Sequence, residues 1–277
     1  ANEEEVGEGI KAAIDQGLCK REDLWITSKL WNTYHHPDHV KPALEKTLQD
    51  LQLDYLDLYM IHFPISLEFV PFDQRYPPEW FNDPDSKEPV MIPSRVPLSD
   101  TWHAMEMLKK EGLAKHIGIC NYSSSLLHDL MNYCETKPEI LQVESHPYLT
   151  QEKLIRLAKD YGLEITAFSP LGSLSYEELG GAEESESLLK NESIQSIAKD
   201  LDVSPAQLIL SWALNRGTSI VVKSSDDTRM QENLYASNIK LDKSVIDEIS
   251  SLNINKRFND PGVFCEDAFN TFFPIYE

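Results

Sequence analysis

The residues of this chain that could do chemistry come at the ends of short apolar runs. The clearest case is LDLYMIHFP at 56–64, where an apolar run stops at His62 and Pro64 closes it. Such a histidine is either a hydrogen-bonded core residue, which is the commoner case, or a catalytic group that faces a substrate. The other polar residues in equivalent places are Lys29, Cys120, Asn121, Gln142, Glu144, Ser169, Lys223 and Ser224.

The apolar runs predict strands, and the segments between them predict helices. The β-rich runs lie at 24–31, 55–63, 115–120, 140–146, 164–168 and 219–224. Helical spacing of apolar residues predicts helices at 3–16, 39–51, 98–111, 126–133, 151–161 and 194–214. This alternation is typical of a parallel sheet, either doubly wound or closed into a (β/α)8 barrel. No GxGxxG turn follows any of the strands, so the barrel is favoured.

A barrel would bring these distant polar residues together, because the carboxyl ends of its strands meet at one mouth. Two segments interrupt the alternation. The proline-rich segment 65–97 predicts a long ordered loop at that mouth, and the Gly-, Ser- and Glu-rich segment 171–190 predicts a mobile flap. Neither divides the chain, so we interpret residues 1–277 as a single domain.

Composition excludes several classes of function. The chain has 277 residues, 41 % of them hydrophobic, and its 46 acidic against 25 basic residues give a formal charge of -21. That charge argues against nucleic acid and anionic membranes as partners. No apolar run is long enough to span a membrane and no signal peptide is recognisable, so we expect a cytoplasmic protein. The four cysteines are widely spaced and predict neither disulfides nor a metal site.

Six motifs in chain order resemble the aldo-keto reductases, and they cover essentially the whole sequence. They are ITSKLWN at 26–32, LYMIHFP at 58–64, HIGICNY at 116–122, LQVESHPYL at 141–149, TAFSPLGS at 166–173 and VVKSSDDTRMQEN at 221–233. Within that family, YPPEW at 76–80 and KRFNDP at 256–261 are most similar to the fungal xylose and aldose reductases.

The resemblance implies the transfer of a hydride from NADPH to an aldehyde or ketone, with a tyrosine as proton donor. Lys29 matches the family lysine that lowers the pKa of the tyrosine. His62 matches the family histidine, which as a neutral imidazole orients the carbonyl oxygen. Trp31, Phe63 and Asn259, together with His62, would line the substrate pocket.

The resemblance also implies how the nicotinamide is held. Asn121 and Gln142 match the residues that bind its carboxamide, and Phe168 matches the aromatic residue that stacks on its ring. The family usually has serine at the position of Cys120 and more often tyrosine at that of Phe168. The first substitution removes a strong hydrogen-bonding hydroxyl, whereas the second keeps the aromatic face.

Three further groups of residues match the binding site for the rest of the cofactor. The pyrophosphate would be wrapped by Ser169, Leu171 and Ser173. The adenosine 2′-phosphate would be held by Lys223, Ser224 and Arg229, and the adenine by Glu232 and Asn233. Two cations and a hydroxyl suit a phosphate, so NADPH is expected and NADH is the alternative.

The match places the family tyrosine immediately before Ala1 and the family aspartate further upstream. Since six strands are predicted where a barrel has eight, we expect a barrel that lacks its first two strands and first helix through N-terminal truncation. Besides a reductase that acts on a small carbonyl substrate as a monomer or homodimer, two alternatives remain. One is a truncated, non-catalytic nucleotide-binding protein, and the other is an unrelated barrel enzyme, which the six motifs disfavour.

Overall fold

A computed structural model describes residues 2–83, 85–177 and 181–276, without the side chains of residues 175 and 177. The contacts divide the chain into two compact units. The first unit contains the chain up to Ile140 together with the residues from Pro261 onward, and the second is Leu141–Asp260. Each unit is described by itself below.

The first unit is built on three parallel strands, β1 (Thr27–Leu30), β2 (Leu56–Ile61) and β3 (Ala114–Cys120). β2 pairs with both neighbours, so that Lys29 lies opposite Met60, and Tyr59 lies opposite Ile117. All residues of β2 are buried, as expected for a parallel strand covered on both faces. His62 therefore follows directly on the end of the most deeply buried strand of this unit.

Within its described residues, the first unit has five α-helices. They are α1 (Glu3–Asp15), α2 (Pro37–Leu51), α3 (Leu98–Lys110), α4 (Ser124–Tyr133) and α11 (Pro261–Phe269). The stripe that predicted α2 is buried, since Val40, Leu44, Leu48 and Leu51 are at most 7 % exposed. α2 begins two residues earlier than predicted, because Pro37 fits the first turn of a helix. α11 was not predicted.

The segment 65–97 is a long ordered loop after β2, as predicted. Over its described residues it contains no helix or multi-residue strand. Backbone hydrogen bonds join the first residues of the loop to its last residues. The Glu68 amide donates to the Ile92 carbonyl at 2.8 Å, and the Ser94 amide donates to the Ser66 carbonyl at 2.9 Å. Pro84, within this segment, lies outside the described residues.

The second unit contains most of β4 (Ile140–Glu144) together with β5 (Glu164–Phe168) and β6 (Ser219–Ile220). β5 and β6 pair in parallel. Its helices are α5 (Glu152–Asp160), α6 (Leu174–Glu177), α7 (Glu192–Asp200), α8 (Pro205–Asn215), α9 (Asp227–Tyr235) and α10 (Lys243–Ser250). Its core is formed by apolar residues of α7, α8 and α10, among them the fully buried Trp212.

The prediction of one helix over 194–214 is wrong, because the chain breaks between α7 and α8. Asp202 is in the left-handed region, with φ of 55°. Ser204 and Gln207 then form a capping box, in which the Gln207 amide donates to Ser204 Oγ and the Ser204 amide to Gln207 Oε1. Pro205 occupies the first helical position. A capping serine followed by proline is a helix start that the apolar spacing alone does not reveal.

Other boundaries also differ from the prediction. β6 has two residues where a strand over 219–224 was predicted, and α9 and α10 were not predicted. In the predicted flap 171–190 the structure places α6 and the fully buried Leu188, while residues 178–180 lie outside the described part. Among the described residues no helix is both long and apolar enough to cross a membrane.

Asp57 connects β2 to the chain that leads into β1. Its Oδ2 accepts hydrogen bonds from Arg21 at 2.8 Å and from the Ile26 amide at 2.9 Å. Lys115 Nζ lies 3.4 Å from Oδ1. Burial alone would raise the pKa of this carboxyl, but the Ile26 amide, Arg21 and Lys115 outweigh burial and hold the pKa below its usual value.

We expect Asp57→Asn to lower the free energy of unfolding by about 3 kcal/mol at pH 7, because it leaves Arg21 without its carboxylate. Denaturant unfolding measures this, with Asp54→Asn, an exposed carboxyl nearby, as the matched control. The folded pKa of Asp57 is depressed, so its contribution is present above the unfolded pKa of about 3.9 and is lost as pH falls through the folded pKa. The free energies of unfolding of Asp57→Asn and of the control Asp54→Asn should therefore converge in acid. Equal stabilities at pH 7 would contradict the role given to Asp57.

Candidate active site

The first unit has a cavity of about 530 Å³ beside β1, which is lined by residues of α1, β1, α2 and the loop 65–97 and by residues that follow β1 and β2. Lys29 reaches it from β1, and Trp31 and His62 reach it from the residues that follow β1 and β2. Three phenols, those of Tyr34, Tyr59 and Tyr76, also line it. The structure thus brings both predicted catalytic residues to one cavity, and the three tyrosines are lining residues that sequence reasoning missed.

An aromatic wall stands beside this cavity, consisting of Trp31, His62, Phe63 and Trp80. The Trp31 ring lies edge-on to His62, with centroids 5.1 Å apart, and edge-on to Trp80 at 5.0 Å. His62 stacks on Phe63 at 5.0 Å. The indole N–H of Trp31 donates to the Glu79 carbonyl at 2.8 Å, which fixes the ring. Three predicted substrate residues are therefore adjacent, and the loop 65–97 adds Trp80.

His62 is held as a neutral imidazole. Desolvation of the partly buried ring lowers its pKa to about 3, and the positive charge of Lys29 and the neighbouring His35 act in the same direction. Lys29 has no carboxylate within salt-bridge distance among the described residues. The cavity therefore contains a neutral hydrogen-bonding ring and a cation without a salt bridge, and it is also lined by the carboxylate residues Glu3, Glu4, Glu5 and Asp50.

His35 is completely buried, although it lies in the connection between β1 and α2. In the loop 65–97, the Leu67 amide donates to the carbonyl of Asn32, three residues before His35, at 2.9 Å. Thr101 Oγ1 donates to the His35 carbonyl at 2.8 Å. His36 is exposed and caps α2 through Nδ1, which accepts from the Asp38 amide.

Asn121 follows the end of β3 with a left-handed backbone, φ 63°. Its side chain is buried, and its Nδ2 donates to the His62 carbonyl at 2.8 Å. Cys120, directly before it, instead faces an apolar cluster with Leu58 and Met60, and its sulfur lies 3.8 Å from that of Met60. Burial raises the pKa of this thiol to about 12. It is thus a neutral, weakly hydrogen-bonding group.

In the second unit, Gln142 and Glu144 lie on the same face of β4, and both are buried. Phe168 and Ser169 come at the end of β5, where Ser169 has a φ of 47°. Ser169 Oγ lies 2.9 Å from the Tyr176 hydroxyl, which also accepts from Asn259 Nδ2 at 3.1 Å. Tyr176 was not predicted, and it connects two predicted site residues that are distant in sequence.

Glu144 fixes the backbone next to Asn259. The carboxylate is fully buried, and Oε1 accepts from the Phe258 amide at 2.8 Å and from His146 Nε2 at 3.0 Å. Oε2 accepts from the Asn259 amide at 3.0 Å, and the Arg257 guanidinium lies 3.7 Å away. Three hydrogen bonds and a nearby cation compensate the burial of this charge.

The segment predicted to wrap the pyrophosphate turns sharply at Gly172, with φ 70°. A Cβ on Gly172 would lie 2.6 Å from the side chain of Leu188, so the turn also requires the absence of a side chain. Leu171 packs against the core of the unit, and Ser173 is completely buried. Both side chains point into the protein.

The residues predicted to bind the 2′-phosphate and adenine lie around the start of α9. A cavity of about 570 Å³ is lined by Lys223, Ser224 and Asn233 over an apolar floor that includes Leu214 and Met230. Arg229 and Glu232 lie on α9 outside that lining.

Lys223 and Arg229 are exposed, and neither forms a salt bridge within the described part of this acidic chain. The Ser224 hydroxyl accepts from the Asp226 amide at 3.1 Å and donates to the Asp226 carbonyl at 3.3 Å, and Asp226 caps α9. The two exposed cations fit a phosphate. No cluster of metal-ligating residues occurs among the described side chains.

A family model and two yeast enzymes that match this chain all concern reductases. The aldo/keto reductase family model matches residues 1–254. The NAD(P)H-dependent D-xylose reductase of Kluyveromyces lactis is 45 % identical, over 98 % of this chain and 84 % of its own. The NADPH-dependent aldose reductase of Saccharomyces cerevisiae is 44 % identical over the same shares.

Among solved structures, the aldose reductase of Giardia lamblia matches with a TM-score of 0.84 and 34 % identity. The match covers 100 % of this chain and 86 % of the Giardia chain. The family and the (β/α)8-barrel fold class predicted from the sequence are both confirmed.

We expect NMR to find the His62 imidazole neutral from pH 5 to pH 8, because its pKa is about 3. In the unfolded chain the same group titrates near 6.5, so the unfolded state binds more protons between these values. His62 therefore makes stability fall as pH drops below about 6.5. The denatured protein is the control, and His62→Gln assigns the resonance. Protonation of the folded ring near pH 6 would contradict the burial described here.

Glu144→Gln should loosen the chain at 257–259. The two backbone N–H groups bond to different oxygens of the carboxylate, and in glutamine one of these oxygens becomes an NH2 group, so one buried donor loses its partner at a cost of about 2 kcal/mol. Hydrogen exchange measured by mass spectrometry should show faster exchange at Phe258 and Asn259. Glu152→Gln, an exposed change on α5, is the matched control. Unchanged protection in Glu144→Gln would mean that other contacts hold this segment.

Proposed function

Because this chain belongs to the aldo/keto reductase family, we propose that it reduces the carbonyl of an aldehyde or xylose-like aldose with NADPH, and less readily with NADH. The observation that carries the proposal is the cavity of the first unit, which is lined by a neutral His62, a cationic Lys29 and Trp31 of the aromatic wall. The predicted enzyme class and cofactor agree with those named for both yeast relatives. When bound, NADPH supplies the hydride.

The residues of the cavity orient and polarise the substrate. A neutral His62 donates an N–H to the substrate carbonyl oxygen, and the Lys29 ammonium stabilises the negative charge that develops on that oxygen. Trp31 and Phe63 exclude water and contact the carbon chain of the substrate. The family resemblance assigns the proton transfer to a tyrosine whose pKa Lys29 would lower, and the residues named here supply orientation and electrostatics.

Two sets of residues are proposed for the cofactor. Asn121 and Gln142 each have a buried side-chain amide, which can bind a carboxamide, and Phe168 offers an aromatic face. Lys223, Ser224 and Arg229 offer two cations and a hydroxyl to a phosphate, while Glu232 and Asn233 are assigned to the adenine. Asn259, held by Glu144 and Tyr176, is assigned to the hydroxyls of the substrate.

We expect the protein that includes the proton-donating tyrosine implied by the resemblance to oxidise NADPH in the presence of xylose or glyceraldehyde, and His62→Ala to lower its kcat/KM by about 10²-fold, the effect of removing one such donor. Absorbance at 340 nm follows the reaction, and quenching of tryptophan fluorescence measures NADPH binding separately. Binding without turnover would favour the non-catalytic nucleotide-binding protein. Absence of both would remove the proposal.

Arg229→Ala should weaken NADPH binding about tenfold and leave NADH binding nearly unchanged, because only NADPH carries the 2′-phosphate. Dissociation constants for both cofactors check this, with Lys240→Ala, an exposed cation after α9, as the control. A parallel loss for both cofactors would show that Arg229 does not read that phosphate.

A further inference from the structure

The side chain of Asn121 has a second hydrogen bond, to a residue near the other end of the chain. The Tyr276 hydroxyl lies 2.8 Å from Asn121 Oδ1, while Asn121 Nδ2 donates to the His62 carbonyl at 2.8 Å. A carbonyl oxygen only accepts, so the bond to His62 fixes which end of the amide is Nδ2. The Tyr276 hydroxyl must therefore be the donor in its bond to Oδ1.

These two bonds leave the side-chain amide of Asn121 with a defined capacity for further hydrogen bonds. An asparagine amide has two N–H donors and two lone pairs on its oxygen. His62 takes one donor and Tyr276 one lone pair, which leaves one donor and one acceptor side by side. A primary carboxamide offers the complementary acceptor and donor, so the fixed Asn121 is matched to that chemical group.

Tyr276 is placed by the packing of the segment before it. Phe264, Phe269 and Phe273 pack on a cluster of Leu67, Met91 and Cys265, together with Trp80 of the aromatic wall. Thr271 Oγ1 accepts from the Met91 amide at 3.0 Å, and Asn270 Nδ2 donates to the Pro89 carbonyl at 3.2 Å. Residues 264–273 are thereby fixed to the loop 65–97, close before Tyr276.

We propose that Tyr276 is a positioning residue, whose hydroxyl fixes the amide of Asn121 in the orientation that binds the carboxamide of the nicotinamide ring. The inference rests on the proposed role of Asn121. Tyr276 acts through Asn121 and does not itself contact the cofactor. Since residues 264–273 pack against the loop that carries Trp80, the same segment connects the substrate wall with the group that orients the cofactor.

Tyr276→Phe tests the proposal, because it removes only the hydroxyl. We expect its dissociation constant for NADPH to rise about five- to tenfold, the effect of losing one neutral hydrogen bond. Its affinity for adenosine 2′,5′-bisphosphate, which lacks the nicotinamide ring, should not change. A loss of structure at the other end of the chain would weaken both ligands, so the comparison separates orientation from stability.

The matched control is Tyr133→Phe in the first unit, where the hydroxyl has no hydrogen-bond partner among the described residues. A double-mutant cycle adds a second measurement: in an Asn121→Ala background, Tyr276→Phe should have no further effect on NADPH binding. If Asn121→Ala does not fold, the comparison of the two ligands decides alone.

Three outcomes would overturn the proposal. Equal NADPH affinity in wild type and Tyr276→Phe would mean that the hydroxyl does not orient Asn121. Tighter NADPH binding in the variant would mean that Tyr276 competes with the carboxamide. If the wild type binds NADPH no better than the bisphosphate, the proposed role of Asn121 fails as well, and this result distinguishes the two failures.

Discussion

The parallel pairing of β2 with a strand on each side is the constraint on which the first unit depends. β2 is buried along its whole length. Its registers with β1 and β3 fix the positions of Lys29 and Cys120 along the strand direction. Parallel strands end at the same edge of a sheet, so His62 and Asn121, each directly after a strand, come to that edge together. The hydrogen bond from Asn121 Nδ2 to the His62 carbonyl connects the two strand ends.

Burial at this edge then determines the charges that a substrate meets. The imidazole of His62 remains neutral because it is desolvated and lies near Lys29, whose own charge no described carboxylate neutralises. In the same cavity, Lys29 lies among the carboxylates of Glu3, Glu4, Glu5 and Asp50 without forming a salt bridge to any of them within the described residues. The second unit also has cations without a salt bridge, since Lys223 and Arg229 form none in the part of the chain that the structure describes.

Both units use hydrogen bonds from distant residues to fix short polar side chains. In the second unit the buried Glu144 holds the backbone at Phe258 and Asn259, and the Tyr176 hydroxyl joins Asn259 to Ser169. In the first unit the Tyr276 hydroxyl holds Asn121. Fixing a polar side chain before a ligand arrives removes the entropy cost of ordering it on binding. Each of these contacts depends on a single residue, since one hydroxyl or one carboxylate is enough to fix the partner.

The sequence by itself determined the alternation of strands and helices, the long loop after β2, the family and which residues follow the strands. Those features are local, because burial leaves its periodicity on neighbouring residues. It did not show the break before Ser204, the complete burial of His35, or the contacts of Tyr176 and Tyr276. The break depends on capping, and the other three depend on residues that packing brings together across tens to hundreds of positions. Only the tertiary structure decides those partners, since hydrogen-bond geometry is set by the packed backbone and leaves no period in the sequence.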